Sequence, residues 1–77
     1  MSTVLDAAFH LVHDYPGGAT ALAPRLQKGH GTLCHELTGT GTAKLALLDA
    51  VKLTLLTGDR RILNAFAAEC GCVLRHL

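Results

Sequence analysis

Charge is scarce in this sequence. Only 17% of its 77 residues are Asp, Glu, Lys or Arg, against 49% hydrophobic ones, and mean hydropathy is +0.33. A small soluble domain ordinarily carries more charge, so part of the apolar excess is expected to be covered by another copy of the chain. Long apolar runs are missing as well. Asp6, Asp14, Asp49, Asp59 and Glu69 interrupt the pattern well short of the roughly 18 residues of a membrane span, so no membrane partner is expected. The opening Met1-Ser-Thr-Val-Leu-Asp6 has no basic stretch of the kind that begins a signal peptide. Three cysteines cannot pair evenly, whereas a secreted mini-protein usually carries an even set. From these absences a reducing, cytoplasmic setting is expected.

The length fits one domain, residues 1–77, because domains run to roughly 100–200 residues. A chain this short buries only about 60% of its extended surface, which makes its stability marginal. The net charge of +1 neither requires nor forbids a nucleic-acid partner, since the distribution of charge matters more than its sum.

Strand alternation and internal repeats are absent, and helical spacing takes their place. Val4 to Tyr15 reads as a helix with Leu5, Ala8, Phe9 and Val12 on its buried face. Ser2 or Thr3 caps it, and Tyr15-Pro-Gly-Gly18 stops it. A second helix runs from about Ala19 or Thr20 to Leu26, facing Leu22, Ala23 and Leu26 inward. Pro24 favours the late start, because an interior proline costs nearer ~3 kcal/mol. Gln27 to His30 is a turn. A third helix, Gly31 to Leu37, buries Leu33 and Leu37. Thr38-Gly-Thr-Gly-Thr42 is a polar loop, and Thr42 caps a fourth helix, Ala43 to Thr57. That helix is apolar on nearly every side, as a helix central to the core or between two packing surfaces would be. Gly58 ends it, and Asp59 caps a fifth helix, Arg60 to Cys70, which turns Ile62, Leu63, Phe66, Ala67 and Cys70 to the core. Gly71 closes that helix.

The fold class expected is therefore all-α, five short helices with a central helix-turn-helix. In that motif Leu22, Ala23 and Leu26 anchor one helix, and Leu33 and Leu37 anchor the next. The small Ala23 lets the two cross closely. The exposed start of the second helix suits the DNA major groove, which admits one helix and is read from its N-terminal part. His30, Gly31, Thr32 and His35 are the base-reading candidates. Arg25, Lys28 and Lys44 are the phosphate candidates. Between Arg25 and Lys44 the single acid is Glu36, so the segment is locally basic. As a pattern alone, the same stretch also suits a helical hairpin in an unrelated all-α bundle.

Four runs carry a resemblance over nearly the whole chain. They are Ala7-Ala-Phe-His10 with His13-Asp-Tyr-Pro-Gly-Gly-Ala-Thr-Ala-Leu-Ala23, then Gly31-Thr-Leu-Cys-His-Glu36, Thr42-Ala-Lys-Leu45, and Leu56-Thr-Gly-Asp-Arg-Arg-Ile-Leu63. Together they resemble the phage regulatory protein CII family, of the coliphage 186 type rather than the lambda CII type. The resemblance implies a lambda-repressor-like helix-turn-helix domain that controls the lysis–lysogeny choice by binding promoter DNA as an oligomer. The chain departs from the pattern in three places. Gln27 and Lys28 stand where a helix-turn-helix has a glycine and an apolar residue. Cys70 and Cys72 lie outside the shared pattern. Longer members continue past the helical domain, whereas this sequence stops at Leu77, so a short repressor-like regulator fits as well as an activator. RNA polymerase is a further partner only for an activator.

Other sites are weaker. Cys70, Cys72 and His76, with Cys34 as a fourth ligand, lack the duplicated Cys pairs of a structural zinc site. His10 and His13 form a surface pair without a third ligand. Gly39-Thr-Gly-Thr-Ala-Lys44 lacks the strand and the Gly-Lys-Ser/Thr ending of a phosphate loop. Cys34, His35 and Glu36 are chain neighbours, so on a helix they point apart and cannot form a nucleophile–base array. Arg60 and Arg61 read as a solvated first turn paired with Asp59 or Asp49. No metal, cofactor or enzymatic chemistry is expected. The expected function is a sequence-specific DNA-binding regulator of phage origin, a homo-oligomer assembled through Leu47, Leu53, Leu56 and Phe66. The alternative is a helical protein-interaction module, an adaptor or antirepressor.

Overall fold

In the computed structural model, which describes residues 3–75 and 77, five helices follow one another and no strand occurs among the described residues: α1 (Thr3–Asp14), α2 (Gly18–Arg25), α3 (His30–Thr38), α4 (Leu47–Thr57) and α5 (Arg61–Glu69). The all-helical expectation holds. No helix among the described residues is long and apolar enough to cross a membrane.

Helix α1 turns Ala8, Leu11 and Val12 fully inward, a shift from the expected stripe. Leu5 and Phe9 are only half-buried. The Phe9 ring is drawn sideways instead, stacked on His13 at 4.1 Å and edge-on to His10 at 5.3 Å. His13 Nδ1 donates to the Phe9 carbonyl at 2.8 Å, which holds the stack in place. Capping by Ser2 lies outside the described residues. The N–H of Thr3 donates to Glu69 Oε1 at 3.0 Å, so a carboxylate from the last helix meets the positive end of the first.

The bend between α1 and α2 depends on Gly17. Its φ of +85° is left-handed, and a Cβ there would lie 2.8 Å from the Ala21 Cβ. With this bend α2 begins at Gly18, earlier than expected, and Ala21 N–H bonds the Gly17 carbonyl at 3.1 Å. The early start is compensated by burial. Ala19, Leu22, Ala23 and Leu26 are all buried, the i, i+3, i+4, i+7 set of one helix face. Pro24 consequently sits inside the helix, one residue before its end.

Helix α4 also departs from expectation. The segment 43–46 is not helical, and Ala46 is extended with φ −69° and ψ 145°. Here Ala43 and Leu45 are half-buried while Lys44 and Ala46 are exposed, the period-two alternation of extended chain. Thr42 therefore caps no helix. The helix beyond is peripheral rather than central. Only Leu53 is fully buried, and Leu47, Leu48 and Leu55 are more than two-thirds exposed.

Helix α5 lies along α1, and α4 packs on α5 less extensively. Ile62 and Ala67 are buried, but Leu63, Phe66 and Cys70, expected to face the core, are exposed. The core lies between α1, α2 and α3, with Leu53 and Ile62 completing it from α4 and α5. Helix α5 begins one residue later than expected, with Arg60 rather than Asp59 at its N-cap, and Asp59 Oδ1 accepts the Arg61 N–H at 3.0 Å from one position further back. Arg61 Nη1 also reaches Asp14 at 2.7 Å, and the two acids raise its already high pKa.

Candidate nucleic-acid interface

The residues expected to anchor the α2–α3 pair are all buried: Leu22, Ala23, Leu26, Leu33 and Leu37. The turn between the helices is built by backbone bonds. Gln27 N–H bonds the Pro24 carbonyl at 3.0 Å, and Lys28 N–H bonds the Ala23 carbonyl at 3.1 Å, the double closure of a Schellman motif. That motif places one residue in the left-handed region, usually glycine. Here the residue is Gln27, with φ 58°, the single non-glycine at positive φ among the described residues. Gly29 then extends the chain, and its carbonyl accepts the Leu33 N–H at 3.1 Å to start α3.

The anchors leave a polar surface outward. His30, Gly31, Thr32 and His35 are all exposed. A Cβ added at Gly31 would meet nothing within 4 Å, so the helix is open to close approach at that point. The Cys34 sulfur lies 3.8 Å from His30 Nε2 one turn along. Thr38 Oγ1 donates to the Cys34 carbonyl at 3.0 Å, its hydroxyl lies 2.6 Å from that of Thr40, and Thr40 N–H bonds the His35 carbonyl at 3.0 Å. The threonine–glycine loop is thus fastened to the end of α3.

Lys28, expected at a phosphate, is paired with two carboxylates of its own chain. Its ammonium lies 2.5 Å from a carboxylate oxygen of Glu36 and 2.5 Å from one of Asp49. The Lys28, Glu36 and Asp49 side chains are 15, 15 and 13% exposed. Burial disfavours the ammonium, but the hydrogen bonds and charges of Asp49 and Glu36 outweigh it and hold its pKa above the ordinary 10.5. The position where a helix-turn-helix has an apolar residue is thus filled by a paired lysine. The segment also carries less free charge than its composition suggests. Arg25 and Lys44 remain exposed.

Sequence reasoning missed this three-residue knot. Lys28 and Glu36 are 8 positions apart and Lys28 and Asp49 are 21 apart, so no local spacing signals either pair. With Asp49 engaged, Arg61 pairs instead with Asp59, one of its two expected partners, and with Asp14.

The expected oligomer residues are divided by the fold. Leu53 is 0% exposed and packs within its own protomer, so it offers no surface to another copy. Leu56 is half-buried against the core. Leu47 and Phe66 are 72% and 53% exposed and line one groove of about 330 Å³ with Ala50 and Ile62. No three metal-type donors gather among the described residues, and His76 lies outside them.

Residues 3–77 match the family described as phage regulatory protein CII (CP76). The chain belongs to that family. No curated protein and no solved structure matches it. In this CII family member α2 and α3 are held by five buried anchors, and the outer side of α3 is exposed.

Proposed function

We propose that this CII family member is a sequence-specific DNA-binding regulator of the lysis–lysogeny choice, of the coliphage 186 type, and binds its operator as a homo-oligomer. In this reading α2 and α3 form a lambda-repressor-like helix-turn-helix, and α3 enters the major groove. His30, Gly31, Thr32 and His35 read bases, while Arg25 and Lys44 contact phosphates. The observation that carries the reading is the α2–α3 junction. Five buried anchors lie below it, a left-handed Gln27 occupies the glycine position, and an exposed polar helix start rises above it. The phage regulatory family supports the same role.

A second reading, a protein-interaction module, is favoured by the apolar exposure of α4 and by the knot that consumes the charge of Lys28. One experiment separates them: selection of duplexes from a random library by the purified protein at physiological salt. Enrichment of a repeated motif whose half-sites are spaced by whole helical turns is the expected result. A folded protein that enriches nothing favours the interaction module. Salt dependence gives an independent answer, because DNA affinity falls steeply with salt and an apolar interface hardly responds.

A further inference from the structure

Helix α4 gives only Leu53 fully to its own core. Its outer side carries Leu47, Leu48, Val51 and Leu55, which are 72, 71, 47 and 77% exposed. Residues four apart share a helix face, so Leu47, Val51 and Leu55 form one apolar ridge with Leu48 beside it. The helix has a single acid, Asp49, and that side chain is turned away to Lys28. No carboxylate of α4 therefore interrupts the ridge, and Lys52 is the helix's one cation. Phe66 lines the same groove as Leu47 and extends the patch onto α5.

We propose that this ridge is a two-fold interface between two copies of the chain, with the two α4 helices antiparallel and Val51 on the axis. The inference rests on the oligomeric reading above and assigns it a surface and an orientation. The order of residues is the first argument. One leucine stands four positions before Val51 and another four positions after it. A half-turn about Val51 therefore lays Leu47 on Leu55 of the second copy, and Leu55 on Leu47. This is the self-complementarity that a two-fold interface requires. The smaller residue falls at the crossing, where two helices approach most closely.

Electrostatics gives the second argument. An antiparallel pair opposes the helix dipoles and sets Lys52 beside the small Ala50 of the other copy. A parallel pair would bring both Lys52 ammonium groups together.

Area gives the third. The protomer exposes 5102 Å². A compact monomer of this size exposes about 4,500 Å². That excess is shared between the exposed segment 71–75 with Leu77 and the ridge of α4, and the ridge is the part arranged with two-fold order.

The test uses the full chain without DNA, with self-association followed by sedimentation equilibrium and folding checked by circular dichroism. Val51→Glu puts two like charges on the axis, and an apolar centre treated this way loses affinity by about 30-fold or more. Leu47→Glu should weaken association similarly. The double variant Leu47→Glu with Leu55→Lys should recover it, because each glutamate then meets a lysine of the other copy. A folded Val51→Glu protein that associates like the parent overturns the surface. Loss without recovery in the double variant overturns the antiparallel orientation. A parent that stays monomeric overturns the interface altogether. Binding of the same variants to a single operator half-site reports separately on DNA reading, so failure of that reading and failure of the interface are distinguishable.

Discussion

The Lys28 ammonium lies 2.5 Å from a carboxylate oxygen of Asp49, 21 residues further along the chain. This pair joins the turn before α3 to the start of α4, and Glu36 adds the end of α3 to the same point. If α3 reads DNA and α4 meets a second copy, the knot fixes the angle between the two surfaces. It is then a positioning device between the two surfaces.

Replacing Lys28 by Met tests that role. The substitution leaves Glu36 and Asp49 facing each other with little solvent. We expect a loss of about 1–2 kcal/mol, below the cost of breaking a fully buried pair because all three groups keep some water. Urea denaturation measures it. The salt slope of DNA binding should stay unchanged in Lys28→Met and flatten by about one unit in Arg25→Ala. A flattened slope in the lysine variant would return Lys28 to the phosphate backbone.

The knot also predicts an alkaline signature. Lys28 is held above its ordinary 10.5, with the two carboxylates overcoming the opposing effect of burial. A raised lysine contributes stability in full below its unfolded pKa and loses it as pH climbs through the folded one. The parent protein should therefore lose stability above about pH 10.5 more steeply than Lys28→Met. Thermal melting of both proteins from neutral to strongly alkaline pH gives the comparison, and parallel curves would refute it.

Gln27 holds a left-handed backbone at φ 58°, a conformation that costs an L-residue about 1–2 kcal/mol. Glycine removes that strain but gains freedom in the unfolded chain. We expect Gln27→Gly to stabilise by about 0.5 kcal/mol, and Gln27→Val, β-branched, to destabilise by about 1–2 kcal/mol. Denaturant midpoints decide the order, and a valine variant as stable as the parent would mean that the turn is not held in this form.

At the outer side of α3, Gly31 separates fold from recognition. A methyl group there meets nothing within the protomer, and Ala for Gly in a helix stabilises by about 0.5–1 kcal/mol. Gly31→Ala should therefore melt higher yet bind operator DNA more weakly, because the added carbon stands where the duplex must approach. Thr32→Ala and His35→Ala should instead relax base preference at single positions, each by about 1–3 kcal/mol of discrimination. Affinity measured over a panel of single-base operator variants distinguishes these outcomes. Parent-like affinity and preference in all three would place the DNA face elsewhere.

The anchors of α2 and α3 were legible because local spacing decides them. Leu22, Ala23, Leu26, Leu33 and Leu37 repeat at helical intervals, and all are buried. In α1 two stripes fit the same spacing. Tertiary packing chose Leu11 over Phe9, whose ring found neighbours on its own helix. The start of α4 was misread because Ala43 to Ala46 are strong helix formers, a local preference that the extended run seen there overrides. Its burial was misread because hydrophobicity on every side says that a surface needs covering without saying what covers it. The partners of Lys28 were illegible, since only the folded chain brings them together.

The bond from Thr3 to Glu69 spans 66 residues and joins the two helices that pack most closely. The first helix to leave the ribosome can meet α2 and α3 early, but its most extensive partner arrives only when α5 has been made. Closing so long a loop comes late and slows folding. Nascent chains that stall before α5 should stay sensitive to proteases. The outer side of α3 then rests on a finished core only once α5 is in place, and shorter products hold it loosely.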